Sequence, residues 1–428
     1  MELRFHGAFW AKISERWLVK GTSHRPPRKL VLPLPRARVG LLAIQHLEMS
    51  MRSHAALAAL PAFRWRQYRK RRRHMRRLPL ALIAGAMLFL QGAADPPSPS
   101  SVAAAPITAN TEAAAAYQDC ERLFREGKYA EAVQAFSRAV ERDPNMAQAY
   151  AFRGYTHNSL NDYDRAIADF ARAIAIDPND ATSFSDRGMV FSNKKDYARA
   201  IADYDQAIKL DPKLTYAFNG RGTVYNALGD DDRALADYDE AIRLDPNYAE
   251  AYGNRGVSFK AKGDNDRAIL EYSKAIELDP KFANAFGNRG IAYYDKGDYE
   301  HAIQDDDQAV KLDPDNPERY NNRCYALATA GRAQEALADC NIALARSPDA
   351  AFMWDSRGYA YLRLGQYRRS IEDYDAALRL NPTHAQALYG RGVAKLKNGD
   401  ASGQGDIAAA AALDATIAGD MRKLGVTP

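Results

Sequence analysis

The chain has 428 residues, of which 46% are apolar and 10% aromatic, enough to build the packed cores of about two or three ordinary domains. Its net charge of +5 is an uneven sum, because residues 1–77 hold 19 Lys/Arg against only Glu2, Glu15 and Glu48, which leaves the remainder at −11. That acidic body excludes a nucleic-acid phosphate backbone as its ligand, since such binding needs clustered cations.

Residues 1–77 are rich in Arg and Pro and show no periodicity. They read as a disordered or mis-assigned extension, with Met51 or Met75 as the true start, or as an organelle presequence. The run Arg69-Lys70-Arg71-Arg72-Arg73 would suit nucleic acid or anionic lipid, but the sequence after it gives a simpler role. Leu78–Leu90 is uncharged and apolar apart from Pro79 and Gly85, and Gly92, Ala93 and Ala94 follow. With Arg71–Arg77 as the cationic segment, residues 78–94 have the layout of a secretory signal cleaved near Ala94. Thirteen apolar residues are too few to span a bilayer comfortably. The expectation is therefore a periplasmic or secreted protein, or one anchored by an uncleaved N-terminal segment, with no other membrane contact. Residues 95–112 are mostly Pro, Ser, Ala and Thr, a disordered linker.

A single proline then recurs every 34 residues, at Pro144, Pro178, Pro212, Pro246, Pro280, Pro314, Pro348 and Pro382. Proline ends a helix, and midway between the prolines lie turn signals such as Gly229-Asp230, Gly263-Asp264 and Gly297-Asp298. Each unit is thus a helix, a turn and a second helix. Within unit 249–282 the residues Tyr252, Gly256, Phe259, Ala268, Tyr272, Ala275 and Pro280 stand at positions 4, 8, 11, 20, 24, 27 and 32, and units 181–214 and 215–248 match as fully. In this the chain resembles the tetratricopeptide-repeat family. The resemblance implies an all-α superhelix, a solenoid of helix-turn-helix hairpins with eight repeats over residues 113–384. Residues 385–428 then form a degenerate ninth repeat and a capping helix.

Position 7 of the units carries Arg153, Arg187, Arg221, Arg255, Arg289, Arg323, Arg357 and Arg391, and position 23 is acidic from Asp169 to Asp373. Antiparallel helices bring the two positions together, as an internal ion-pair ladder or, if the acids lie elsewhere, as a basic stripe for anions. Acidic pairs such as Asp203/Asp205 and Asp237/Asp239 point to different sides of a helix and cannot chelate one ion. His157, His301 and His384 lie far apart, so no metal is expected. No nucleophile signature, phosphate loop or strand pattern appears, so the chain reads as a non-enzyme without cofactor or small-molecule substrate. Asp306 stands where an aromatic belongs, which predicts a looser junction there. Cys324 and Cys340 replace the Gly and the aromatic of one unit and face each other, either as a disulfide or as two small buried thiols.

The resemblance further implies a concave groove, lined by the first helices, that holds peptides. Carried over by position, the groove is lined by Asn254, Asn288 and Asn322, by Asn226 and Tyr294, and by Tyr155, Tyr325 and Tyr359. Amides one repeat apart can hydrogen-bond a peptide backbone whatever its sequence, and tyrosines supply broad contact at low entropy cost. Position 5 holds no lysine in any unit, which removes the heat-shock-tail clamp of some relatives. The expected function is a scaffold binding segments of other proteins. The rival is a regulatory or targeting subunit of a cell-envelope enzyme.

Overall fold

The computed structural model describes residues 122–428. The readings of segments 1–77, 78–94 and 95–112, and of the opening residues of the first repeat, lie outside the described residues.

Two local signals divide the chain into hairpins. After five of the tight turns an aspartate (Asp162, Asp196, Asp230, Asp264 and Asp298) accepts a hydrogen bond from the backbone N–H three residues on and so starts a helix. The residue before it takes a left-handed φ, which Gly229, Gly263 and Gly297 adopt freely at 74–82°. Asn161 and Lys195 adopt about 60° where the glycine is missing. At the far end of the hairpin the residue before each proline, an aspartate in all but Ser347 and Asn381, leaves the helix. Asp245, for example, is extended at φ −133° and returns its N–H to the carbonyl of Ala241.

Helical residues 122–125 pair with α1 (Tyr129–Arg142). The hairpins that follow are α2 (Ala147–Ser159) with α3 (Tyr163–Ile176), α4 (Ala181–Asn193) with α5 (Tyr197–Leu210), and α6 (Thr215–Ala227) with α7 (Asp231–Leu244). Next come α8 (Ala249–Ala261) with α9 (Asn265–Leu278), α10 (Ala283–Asp295) with α11 (Tyr299–Leu312), and α12 (Pro317–Thr329) with α13 (Ala333–Arg346). The series closes with α14 (Ala351–Arg363) and α15 (Tyr367–Leu380), α16 (Ala385–Lys397) and α17 (Gly403–Leu413), and a short α18 (Ile417–Lys423). Each helix packs on its sequence neighbours, no strand occurs among the described residues, and the fold is the expected all-α solenoid.

Packing follows from side-chain size. Ala268 and Ala275 are fully buried, and the Tyr272 ring lies so close to Gly256 that an added Cβ would meet it at 2.7 Å. The same ring position reaches the next unit, where Tyr204 would meet a Cβ on Gly220 at 2.6 Å. One aromatic thus closes its own hairpin and locks the next one to it. In unit 317–350 the Gly/aromatic pair is replaced by Cys324 and Cys340, both buried and joined in a disulfide with Cα atoms 5.4 Å apart. The junction expected to be looser at Asp306 is filled instead by Arg319. This residue stands where Ala251 and Ala285 stand in earlier units, and its side chain is buried against Gly287.

Candidate peptide-binding face

The arginine column is consumed inside the solenoid. Arg221 donates through Nε and Nη2 to Asp237 of its own hairpin at 2.9 and 2.7 Å, and through Nη1 to Asp205 of the preceding unit at 2.5 Å. Arg255 does the same with Glu271 and Asp239, Arg323 with Asp339 and Asp307, and Arg391 with Asp406 and Asp375. Arg153 and Arg289 use Ser137 and Ser273 in place of the second acid. The guanidiniums also sit over the ring at position 4, as Arg255 over Tyr252 at 5.4 Å. Carboxylates meet every guanidinium of the column from Arg153 to Arg391, so the basic-stripe alternative has no free charge to work with. The paired acids Asp237/Asp239 are two halves of this clamp, one for each neighbouring arginine.

The first helices α2, α4, α6, α8, α10, α12, α14 and α16 form the face on which the groove residues were placed. Along it the side chains bond to each other at a spacing of 35 residues, one more than the repeat. Asn193 donates to Asn158 at 3.0 Å, Asn254 to Asn219 at 3.0 Å, Lys260 pairs with Asp295 at 3.1 Å, and the hydroxyls of Tyr294 and Thr329 are 3.1 Å apart. Asn226 donates to both Ser258 and Asp231 at 3.0 Å. Asn219, Lys260, Asp295 and Thr329 were missed in the sequence. A search for polar residues one repeat plus one apart would have found them.

The three asparagines expected to be equivalent are placed differently. Asn254 is committed to Asn219, whose amide donates onward to the Tyr248 hydroxyl at 3.3 Å. Asn288 is buried and its amide nitrogen has no partner, because the residue 35 positions earlier is Gly253, which has no side chain to receive it. Asn322 is half-buried, and 35 positions before it stands Gly287. The amide column therefore changes from self-paired to unpaired at α10.

Beyond α10 the face closes on itself. The rings of Tyr294, Tyr325 and Tyr359 follow one another at centroid distances of 5.5 and 5.2 Å. Tyr325 accepts a hydrogen bond from Gln386 at 2.6 Å, and Tyr359 donates to the carbonyl of Leu424 at 2.9 Å. Tyr325 and Tyr359 are 8% and 1% exposed, so in this conformation both are covered by the chain itself rather than open to a partner. Tyr155 is half-buried and stacks edge-on with Phe124 at 5.5 Å. Next to the tyrosines, burial pushes the Asp355 carboxyl up to about 8, and burial pushes His384 down to about 4. The neutral imidazole accepts at Nδ1 from the N–H of Ala387. Among the described residues no group of His, Cys, Asp and Glu could hold a metal, and no helix is long and apolar enough to cross a membrane.

Stacked hairpins with a shared inner face define a helical-repeat interaction solenoid. The chain belongs to the tetratricopeptide-repeat family: "TPR repeat" matches residues 222–263, 256–297, 290–331 and 358–399, and "Tetratricopeptide repeat" matches 121–181 and 181–214. Solenoids of this family are typically non-catalytic interaction scaffolds that bind other proteins or peptides. Among solved structures the chain is similar to the APC/C hetero-tetramer Cut9-Hcn1, at 17% identity and a TM-score of 0.53 over 64% of this chain. It spans about half the length of that chain, 54%, and the likeness is one of fold. It also matches YrrB, a TPR protein with an unusual peptide-binding site, at 28% identity and a TM-score of 0.33, covering 42% of this chain and 94% of that one. MamA matches at 24% identity and 0.34, covering 38% and 96%. No curated protein matches the chain.

Proposed function

We propose that the inner face holds an extended segment of a partner protein, with Asn288 and Asn322 hydrogen-bonding its backbone and Tyr294 beside them. The observation that carries this reading is that the amide of Asn288 has no partner within the chain while that of Asn254 has one; at 4% exposure it meets a partner only when the face opens locally, and a buried donor left unmet is costly. Asn226 and Asn254 act indirectly, by holding adjacent first helices in register. The test is titration of a partner peptide captured by crosslinking in cells. Asn288→Ala with Asn322→Ala should weaken binding by about 1–3 kcal/mol at unchanged melting temperature. Asn254→Ala should lower the melting temperature through the loss of Asn219 and Tyr248. Unchanged affinity in the double variant would remove the amides from the site.

We also propose that the chain is exported, with residues 71–94 as its signal. The Cys324–Cys340 disulfide supports this, because such bonds persist in oxidising compartments. Sequencing the mature N-terminus decides it: a start near Asp95 fits, and a cytosolic product retaining residues 71–94 does not.

A further inference from the structure

In each hairpin up to α15 the second helix is covered by the first helix of the next unit. At the end of the series this order breaks. The outer side of α17 stays open, with Ala408, Ala409, Ala411, Ala412 and Leu413 exposed. Instead of covering it, α18 turns back along α16 and reaches α14. Ile417, Met421 and Val426 are buried there, in one cluster with Tyr325, Tyr359, Tyr389 and Val393. The carbonyl of Leu424, at the end of α18, receives two donors from α14: the Tyr359 hydroxyl at 2.9 Å and Arg363 Nη1 at 2.7 Å. Arg363 Nη1 also donates to the Tyr359 hydroxyl at 3.2 Å. The polar residues Arg422 and Lys423 face outward. Residues 414–428 therefore lie across the first-helix face as a ligand would, apolar side down, with one free carbonyl at the helix end met by a cation and a hydroxyl.

We propose that residues 414–428 are a resident ligand of this end of the groove, and that the partner which displaces them is an amphipathic helix of the same kind. Such a partner presents apolar residues at the spacing of Ile417, Met421 and Leu424 and ends with a carbonyl between Tyr359 and Arg363. This rests on the reading of the first-helix face as a binding groove, and it adds which end is gated, by what, and for which class of peptide. A covalently held segment competes at high effective concentration, so the groove stays closed to weak ligands and opens only to a better-fitting helix. Vacated, α18 has the open side of α17 as a second seat.

The experiment uses a fluorescein-labelled peptide of residues 414–428 as probe. It is titrated into the full chain, into the chain ending at Leu413, and into the full chain carrying Met421→Glu, whose own segment cannot seat a carboxylate in the apolar cluster. The expected result is binding at least tenfold tighter to both altered chains than to the unaltered one, and loss of that gain when Arg363→Ala is added. Equal binding to all three chains, or none to either altered chain with helicity retained, overturns the proposal. If the shortened chain does not fold, the Met421→Glu chain alone decides between these outcomes. The groove reading has its own readout: crosslinks of cellular peptides to α6–α12 that persist while the probe never binds would sink the resident ligand and leave the groove standing. Probe binding with no such crosslinks would do the reverse.

Discussion

Asp306 and Arg319 exchange size and charge across one junction. An acid replaces the aromatic that locks neighbouring hairpins elsewhere, and an arginine replaces the alanine that faces it. Both are buried, Asp306 Oδ1 and Arg319 Nε each lack a hydrogen-bond partner, and burial raises the Asp306 carboxyl while the Arg319 charge pulls it back. Removing Arg319 strips Asp306 of its largest compensating charge, and a tyrosine at 306 must share the space Arg319 fills and leaves that guanidinium only Asp313 at 3.7 Å as an ion pair, so Asp306→Tyr or Arg319→Ala alone should cost about 3 kcal/mol in urea melts. The double variant restores the pairing used by other units and should recover most of that loss. A double variant as damaged as the two singles summed would mean the residues are independent. Asp355 gives a prediction of a different kind. Its folded carboxyl titrates near 8 against 3.8 for an ordinary aspartate, so the folded chain holds the proton more tightly and loses stability as pH rises between those values. Asp355→Asn should therefore leave the unfolding free energy unchanged near pH 4 and raise it increasingly up to pH 8, by on the order of 1–4 kcal/mol. A difference that stays flat across pH would show the carboxyl charged throughout.

At the scale of the helix pair, the arginine column shows why a hairpin that cannot stand alone becomes stable in a stack. Apart from Arg187, which bonds only Asp203, each arginine takes one acid from its own hairpin and one residue from the hairpin before, so its geometry is complete only when two units meet. The two acids are not equivalent, because Asp237 is buried while the Asp205 side chain is 54% exposed. Asp205→Ala should thus cost under about 1 kcal/mol. Arg221→Leu, which strands Asp237, should cost about 3 kcal/mol, and adding Asp237→Tyr should return much of it. Thermal melts of the four proteins check this, and equal losses for Asp205→Ala and Arg221→Leu would show that burial does not rank the two contacts.

For the whole molecule, contacts run between neighbours, so stability is a local property that varies along the stack. The core is uneven. The largest cluster extends from Ala302 to Val426 and holds the disulfide and the tyrosines, whereas the earlier repeats hold small separate clusters. Native-state hydrogen exchange should therefore be slowest in α12–α16 and fastest in α1–α4, with the first opening at the N-terminal hairpins. Uniform protection along the chain would show one cooperative unit instead.

The period, the hairpins and both charge columns were legible in the sequence, because their signals are local and strong. Pro246 ends a helix wherever it stands, Gly263 supplies a left-handed φ, Asp264 caps the next helix, and thirty-four residues bring each signal back in register. Fold and disulfide candidates followed from those positions alone. The partners of the face did not. Asn254 meets Asn219, Tyr325 meets Gln386 and Tyr359 meets Leu424 because the angle between successive hairpins brings residues 35, 61 and 65 apart together. That angle belongs to the stack and is written in no single repeat. It decided which amides are spent on the protein itself, and it laid the last helix along the face that the pattern had assigned to a partner.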